Sequence, residues 1–63
     1  MMVYNPFLHK EFSVNTNPDI LRIDLGITKS MFYLEQNRRK RHALQALIDG
    51  YEEVIALQTQ PRL

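Results

Sequence analysis

Apolar residues recur at helical spacing over the last third of the chain. Leu44, Leu47, Ile48, Tyr51, Val54 and Ile55, with Leu57 near the edge, oppose a polar face of Gln45, Asp49, Glu52 and Glu53. The stripe predicts an amphipathic helix over residues 43–58, with Pro61 barring its continuation. Gly50 within it costs about 1 kcal/mol relative to alanine. Upstream the apolar pattern comes in two shorter pieces. Ile20, Leu21 and Ile23 follow Asn17-Pro18-Asp19, in which Asn caps, Pro suits the first helical position and Asp complements the positive end of the helix dipole. Gly26 is placed to end this segment in a left-handed conformation, so a helix is predicted over 18–25. Thr28 then caps a second short helix whose apolar side is Met31, Phe32 and Leu34. From Leu34 to Ala43 no strongly apolar residue appears. The chain is expected either to break near Asn37 or to run from 28 to 58 as one helix with a solvated middle.

The first sixteen residues carry a weaker pattern. Asn5-Pro6 opens a short helix with Phe7, Leu8 and Phe12 on one face, or the segment is extended, as Val3, Tyr4, Phe12 and Val14 tolerate. Residues 13–17 read as a loop. The predicted fold class is all-α: one small helical domain over residues 1–63. It divides into an N-terminal segment (1–16), a helix-turn-helix (17–37), a basic loop (38–42) and a longer C-terminal amphipathic helix (43–58).

Length changes this picture. A chain of 63 residues buries only about 60% of its unfolded-state surface, so its core is marginal and a partner is the expected staple. Cysteine is absent, and the two histidines, His9 and His42, have no carboxylates at matching spacing, so no disulfide, metal or cofactor is expected. The expected staple is a second copy, in a homodimer built on Leu47, Ile48, Tyr51, Val54 and Ile55 of the last helix. The N-terminus has neither a basic start nor a long apolar run, and no segment approaches the roughly 20 apolar residues a bilayer span needs. A cytoplasmic protein without membrane contact is expected.

Net charge is only +1, but it is unevenly placed: Arg38, Arg39, Lys40 and Arg41 are half of the eight Lys and Arg residues. Such a run fits phosphate contact, in which side-chain cations displace condensed counterions; an acidic protein surface would serve equally. Catalysis finds less support. Asp19 and Asp24, or Glu52 and Glu53, have no His, Cys or Ser at nucleophile spacing, and there is no Gly-rich phosphate loop. A non-enzymatic protein is expected.

Over residues 18–55 the chain resembles the phage repressor and Cro-type helix-turn-helix family. Leu25, Gly26, Ile27 and Thr28 fit the turn, Phe32 the buried recognition-helix position, and Leu44, Leu47 and Ile48 the following helix. Arg22 and Glu35 stand where that family has a small and an apolar residue. The resemblance implies a small DNA-binding transcriptional regulator of phage or mobile-element type, with double-stranded DNA as partner. It would present Thr28, Lys29, Ser30, Met31 and Tyr33 to the major groove and the Arg38–Arg41 run to phosphates. The competing expectation is a non-enzymatic interaction protein, an anti-activator or antirepressor that docks on a regulatory protein through a dimeric helical scaffold.

Overall fold

The computed structural model describes residues 2–60; Pro61, expected to bar helix continuation, lies outside them. Two strands come first, β1 (Met2–Asn5) and β2 (Lys10–Ser13), followed by two helices, α1 (Pro18–Leu34) and α2 (Arg38–Thr59). The strands pair antiparallel with Val3 opposite Phe12 and Asn5 opposite Lys10. The protein is therefore α+β, and the all-α expectation is corrected.

The correction has a local cause. Asn5-Pro6 caps a turn instead of starting a helix: the Asn5 Oδ1 accepts from the backbone N–H of Phe7 (2.9 Å) and of Leu8 (3.2 Å). This asparagine-anchored turn competes with the helix cap for the same residue chemistry. His9 closes the loop in a left-handed conformation, φ 54°, and hands the chain to β2. The hairpin's inner face is half polar, with Asn5 and Lys10 beside Val3 and Phe12, so the strands lack the apolar alternation that would announce them.

Asn17 caps α1 as expected, accepting from Asp19 N at 2.8 Å. The helix then runs unbroken through Gly26, so the turn expected at residues 25–28 is not formed. No glycine has a positive φ, and Thr28 is a mid-helix residue whose hydroxyl donates to Asp24 O at 2.7 Å. Packing explains the continuity. Leu21, Leu25, Thr28 and Phe32 share one side of a continuous helix, and interrupting it at Gly26 would turn half of them away from the core. A Cβ at Gly26 would meet nothing within 4 Å. Gly26→Ala is accordingly expected to stabilise the fold by up to about 1 kcal/mol, raising the thermal midpoint followed by circular dichroism. A fall in midpoint would restore the left-handed turn.

The break falls at Glu35–Asn37, after which Asn37 caps α2 by accepting from Arg39 N (2.9 Å) and Lys40 N (3.2 Å). The basic run is thus the first turn of a 22-residue helix, not a loop at 38–42. The three-residue connection folds α2 back along α1, giving a rod 43 Å long and 18 Å across with the hairpin laid against the helix pair.

The core lies where the hairpin meets both helices. Phe12, Leu21, Leu47, Tyr51 and Val54 form one buried cluster, with Val3, Phe7, Leu25 and Ile55 packed around it. Phe12 stacks on Tyr51 with ring centroids 3.8 Å apart and planes 12° from parallel. Its ring also lies over Gly50, where an added Cβ would sit 3.6 Å from Phe12 Cζ, an ordinary contact distance. The Asn5 Nδ2 donates to the Tyr51 hydroxyl at 2.9 Å, and Thr28 Oγ1 is 3.5 Å away, so one fully buried amide ties β1 to α2 and α1. Burial holds the Tyr51 hydroxyl pKa above its ordinary value, with the Asn5 hydrogen bond acting the other way. Asp24, buried on α1, meets the Lys10 ammonium of β2, whose Nζ lies 2.9 Å from its Oδ2 and compensates its charge. At the far end Gln58 Nε2 donates to the carbonyls of Val14 (2.9 Å) and Thr16 (2.7 Å), fastening α2 to the β2–α1 connection.

The stripe expected to form a dimer is used inside the subunit. Leu47, Ile48, Tyr51 and Val54 are buried and Ile55 is half-buried. The hairpin, which the sequence did not announce, supplies part of the cover that a second copy was expected to provide.

Candidate nucleic-acid interface

One end of the rod gathers the cations. Arg38, Arg39 and Lys40 occupy the first turn of α2, all exposed, and none forms a salt bridge among the described residues. No acidic residue stands in that turn. Helix N-termini carry the positive end of the backbone dipole and favour anions, so three cations there raise the local positive potential. The nearest carboxylate in the chain, Glu35 in the connection, accepts from Asn37 N at 3.2 Å and forms no salt bridge with them among the described residues. Tyr33 and Leu34, 80% and 83% exposed, close α1 at the same end.

Arg41 has another task. Its guanidinium lies 4.1 Å from the centre of the Phe32 ring, and Nη1 donates to the carbonyls of Phe32 (2.8 Å) and Glu35 (3.0 Å). It satisfies carbonyls left open at the end of α1 and locks the connection between the helices. In sequence it is the fourth member of a basic run; in space it is separated from the other three. No signal in the run distinguishes it, because its partners are backbone oxygens six and nine residues upstream.

The residues expected to read bases are dispersed. Thr28 is fully buried and bonded within α1, which removes it from any interface. Met31 is half-buried, and the exposed Ser30 hydroxyl donates to Gly26 O at 3.1 Å. Lys29 is exposed beside Glu52, at 4.0 Å. Only Tyr33 joins the cationic end. The groove-reading set therefore does not form one surface, while Tyr33, Arg38, Arg39 and Lys40 do share one end of the molecule.

Sequence reasoning also passed over an apolar face. Ile20 (41% exposed), Ile23 (61%), Ile27 (44%) and Leu34 line an exposed side of α1 flanking its buried face, with half-buried Met31 among them. Extending the helical period through Gly26 would have shown it. No helix is long and apolar enough to cross a membrane, so this face is not part of a helical span among the described residues. Among those residues no three His, Asp or Glu side chains converge as a metal site would need. No family model, curated protein or solved structure matches the chain.

Proposed function

We propose that the protein is a small non-enzymatic DNA-binding regulator of the cytoplasm, which grips the phosphate backbone of duplex DNA with the tip formed by Arg38, Arg39 and Lys40. The observation that carries this reading is the placement of three exposed cations, without acidic partners, in the positively poled first turn of α2. Phosphates at this end would relieve the mutual repulsion and meet the helix dipole favourably. The contact is to the backbone, so it confers affinity and orientation more than sequence choice. The regulatory role, and its phage type, rest on the family resemblance in sequence alone, since α1 runs through residues 25–28 without the turn that family has there. Tyr33 is the side chain placed to add a contact beyond phosphate.

A mobility-shift titration against random-sequence duplex at several salt concentrations tests it. Wild-type affinity is expected to fall steeply with salt, and Arg38→Ala/Arg39→Ala to flatten the log–log slope by about 2. Arg41→Ala supplies the contrast: thermal stability should fall by about 1–2 kcal/mol as the carbonyl contacts and ring contact are lost. In the Arg38→Ala/Arg39→Ala protein it should hold or rise. Absence of binding to any duplex at low salt removes the proposal.

A second reading, a protein that docks on a regulatory partner through its helices, is favoured by one observation, the exposed isoleucine face of α1.

A further inference from the structure

That face has an internal symmetry. Its members are residues 20, 23, 27, 31 and 34, separated by three, four, four and three positions. The order is the same read from either end, with Ile27 at the centre. A two-fold interface requires a self-complementary surface, because each residue meets its counterpart by rotation about the axis. A helical stripe that is palindromic about one residue meets that requirement when two copies lie antiparallel with the axis passing beside that residue.

We propose that the occupant of this face is a second copy of the chain, packed antiparallel along α1 about a two-fold axis at Ile27. Ile27 then faces the second copy's Ile27, Ile23 faces its Met31, and Ile20 faces its Leu34. Steps of three and four residues keep all five on one stripe of the helix, as side-by-side helix packing requires. Leu21, Leu25, Thr28 and Phe32 remain turned inward, so pairing costs the subunit none of its own core contacts.

Charge selects the antiparallel sense. Asp19 stands exposed in the first turn of α1, 3.8 Å from Arg22, which balances its charge, whereas the three tip cations just beyond the other end form no salt bridge among the described residues. Antiparallel pairing sets each Asp19 end toward the cationic tip of the other copy and opposes the helix dipoles. Parallel pairing would bring both cationic tips together, at a repulsive cost. A standard interface takes about 800 Å² from each partner, roughly a sixth of the 4837 Å² the subunit exposes. The stripe runs from Ile20 to Leu34, nearly the full length of α1.

The proposal concerns the apolar side of α1 and stands or falls apart from DNA contact at the tip. It is tested on the full chain by sedimentation and by oxidative cross-linking, which is clean because the protein has no cysteine of its own. Wild type is expected to sediment as a dimer at micromolar concentration. Ile23→Glu should weaken association at least about tenfold, the effect of one buried apolar contact replaced by a charge, with an unchanged far-ultraviolet spectrum. Ile27→Cys should cross-link to itself. Ile20→Cys should not, because its two thiols would lie about 21 Å apart along the helices, far beyond disulfide reach. A mixture of Ile20→Cys and Leu34→Cys should cross-link to each other. A wild type that stays monomeric up to about 100 μM, well above a micromolar dissociation constant, overturns the proposal. So does self-cross-linking of Ile20→Cys as complete as that of Ile27→Cys, which would mark a parallel pair.

Discussion

Phe12→Ala should remove a large share of the protein's folding stability. The Phe12 ring is 1% exposed, stacks on Tyr51 and lies across Gly50, so the hairpin is joined to α2 chiefly through this side chain. Truncating a buried phenylalanine costs about 3–5 kcal/mol, a sum of lost transfer energy and residual cavity. A domain of this length has a total stability of only about 3–9 kcal/mol. The cavity cannot close easily, because Gly50 has no side chain to move into it and Tyr51 is held by Asn5. Loss of both strand and helix signal in one transition is expected, and the midpoint should fall by at least about 12 °C at roughly 4 °C per kcal/mol. A midpoint within a few degrees of wild type would mean that the helix pair stands without the hairpin.

The second large effect is expected at Asn5. Its side chain uses its oxygen on two loop amides and its nitrogen on the Tyr51 hydroxyl, with no exposure to water. Asn5→Leu keeps the volume but leaves the Tyr51 hydroxyl and the two amides short of partners. Each buried, unsatisfied group costs about 1–3 kcal/mol, so a total near 3 kcal/mol is expected. Tyr51→Phe should cost less, and the double variant less than the sum of the two, because the hydroxyl that Asn5 served is gone. The pH response reports the burial of the same hydroxyl, which outweighs the opposing effect of the Asn5 hydrogen bond. Burial raises the folded-state pKa of Tyr51 above its unfolded value. The associated stability is complete at neutral pH and is lost as pH rises from about 10, the unfolded tyrosine value, through the higher folded value. Denaturant midpoints should therefore decline above about pH 10 in wild type, and Tyr51→Phe should remove its share of that decline. An identical alkaline profile in both proteins would show that Tyr51 ionises as freely folded as unfolded.

Where one kind of residue carried an unambiguous instruction, sequence and structure agree. Asn17-Pro18-Asp19 starts a helix and the face from Leu44 to Val54 is buried, while of the two outcomes the sequence left open around Asn37, a break or one continuous helix, the chain takes the break. The two diverge where local chemistry supports two outcomes. Asn-Pro serves a turn as readily as a helix start, and at Asn5 the hairpin decides because Phe12 finds Tyr51 on a helix 39 residues further on. Gly26 has the composition of a helix end, yet the residues on either side of it bury a common face, and that burial outweighs a propensity penalty of about 1 kcal/mol. The site was partly visible for a similar reason. Charge could be counted in the basic run, but its division into three outward cations and one clip to α1 depends on where Phe32 and Glu35 place their carbonyls.

The position of those cations gives the tip two opposite responses to ionic strength. In the free protein they crowd the end of α2 that the backbone already makes positive, so the Asn37 cap works against electrostatic strain. Added salt screens that strain and should slow hydrogen exchange of the first-turn amides, where the helix opens most readily. The same salt competes for the cations with any polyanion. Tightening of the helix and loosening of its grip on phosphate would thus proceed together along one titration.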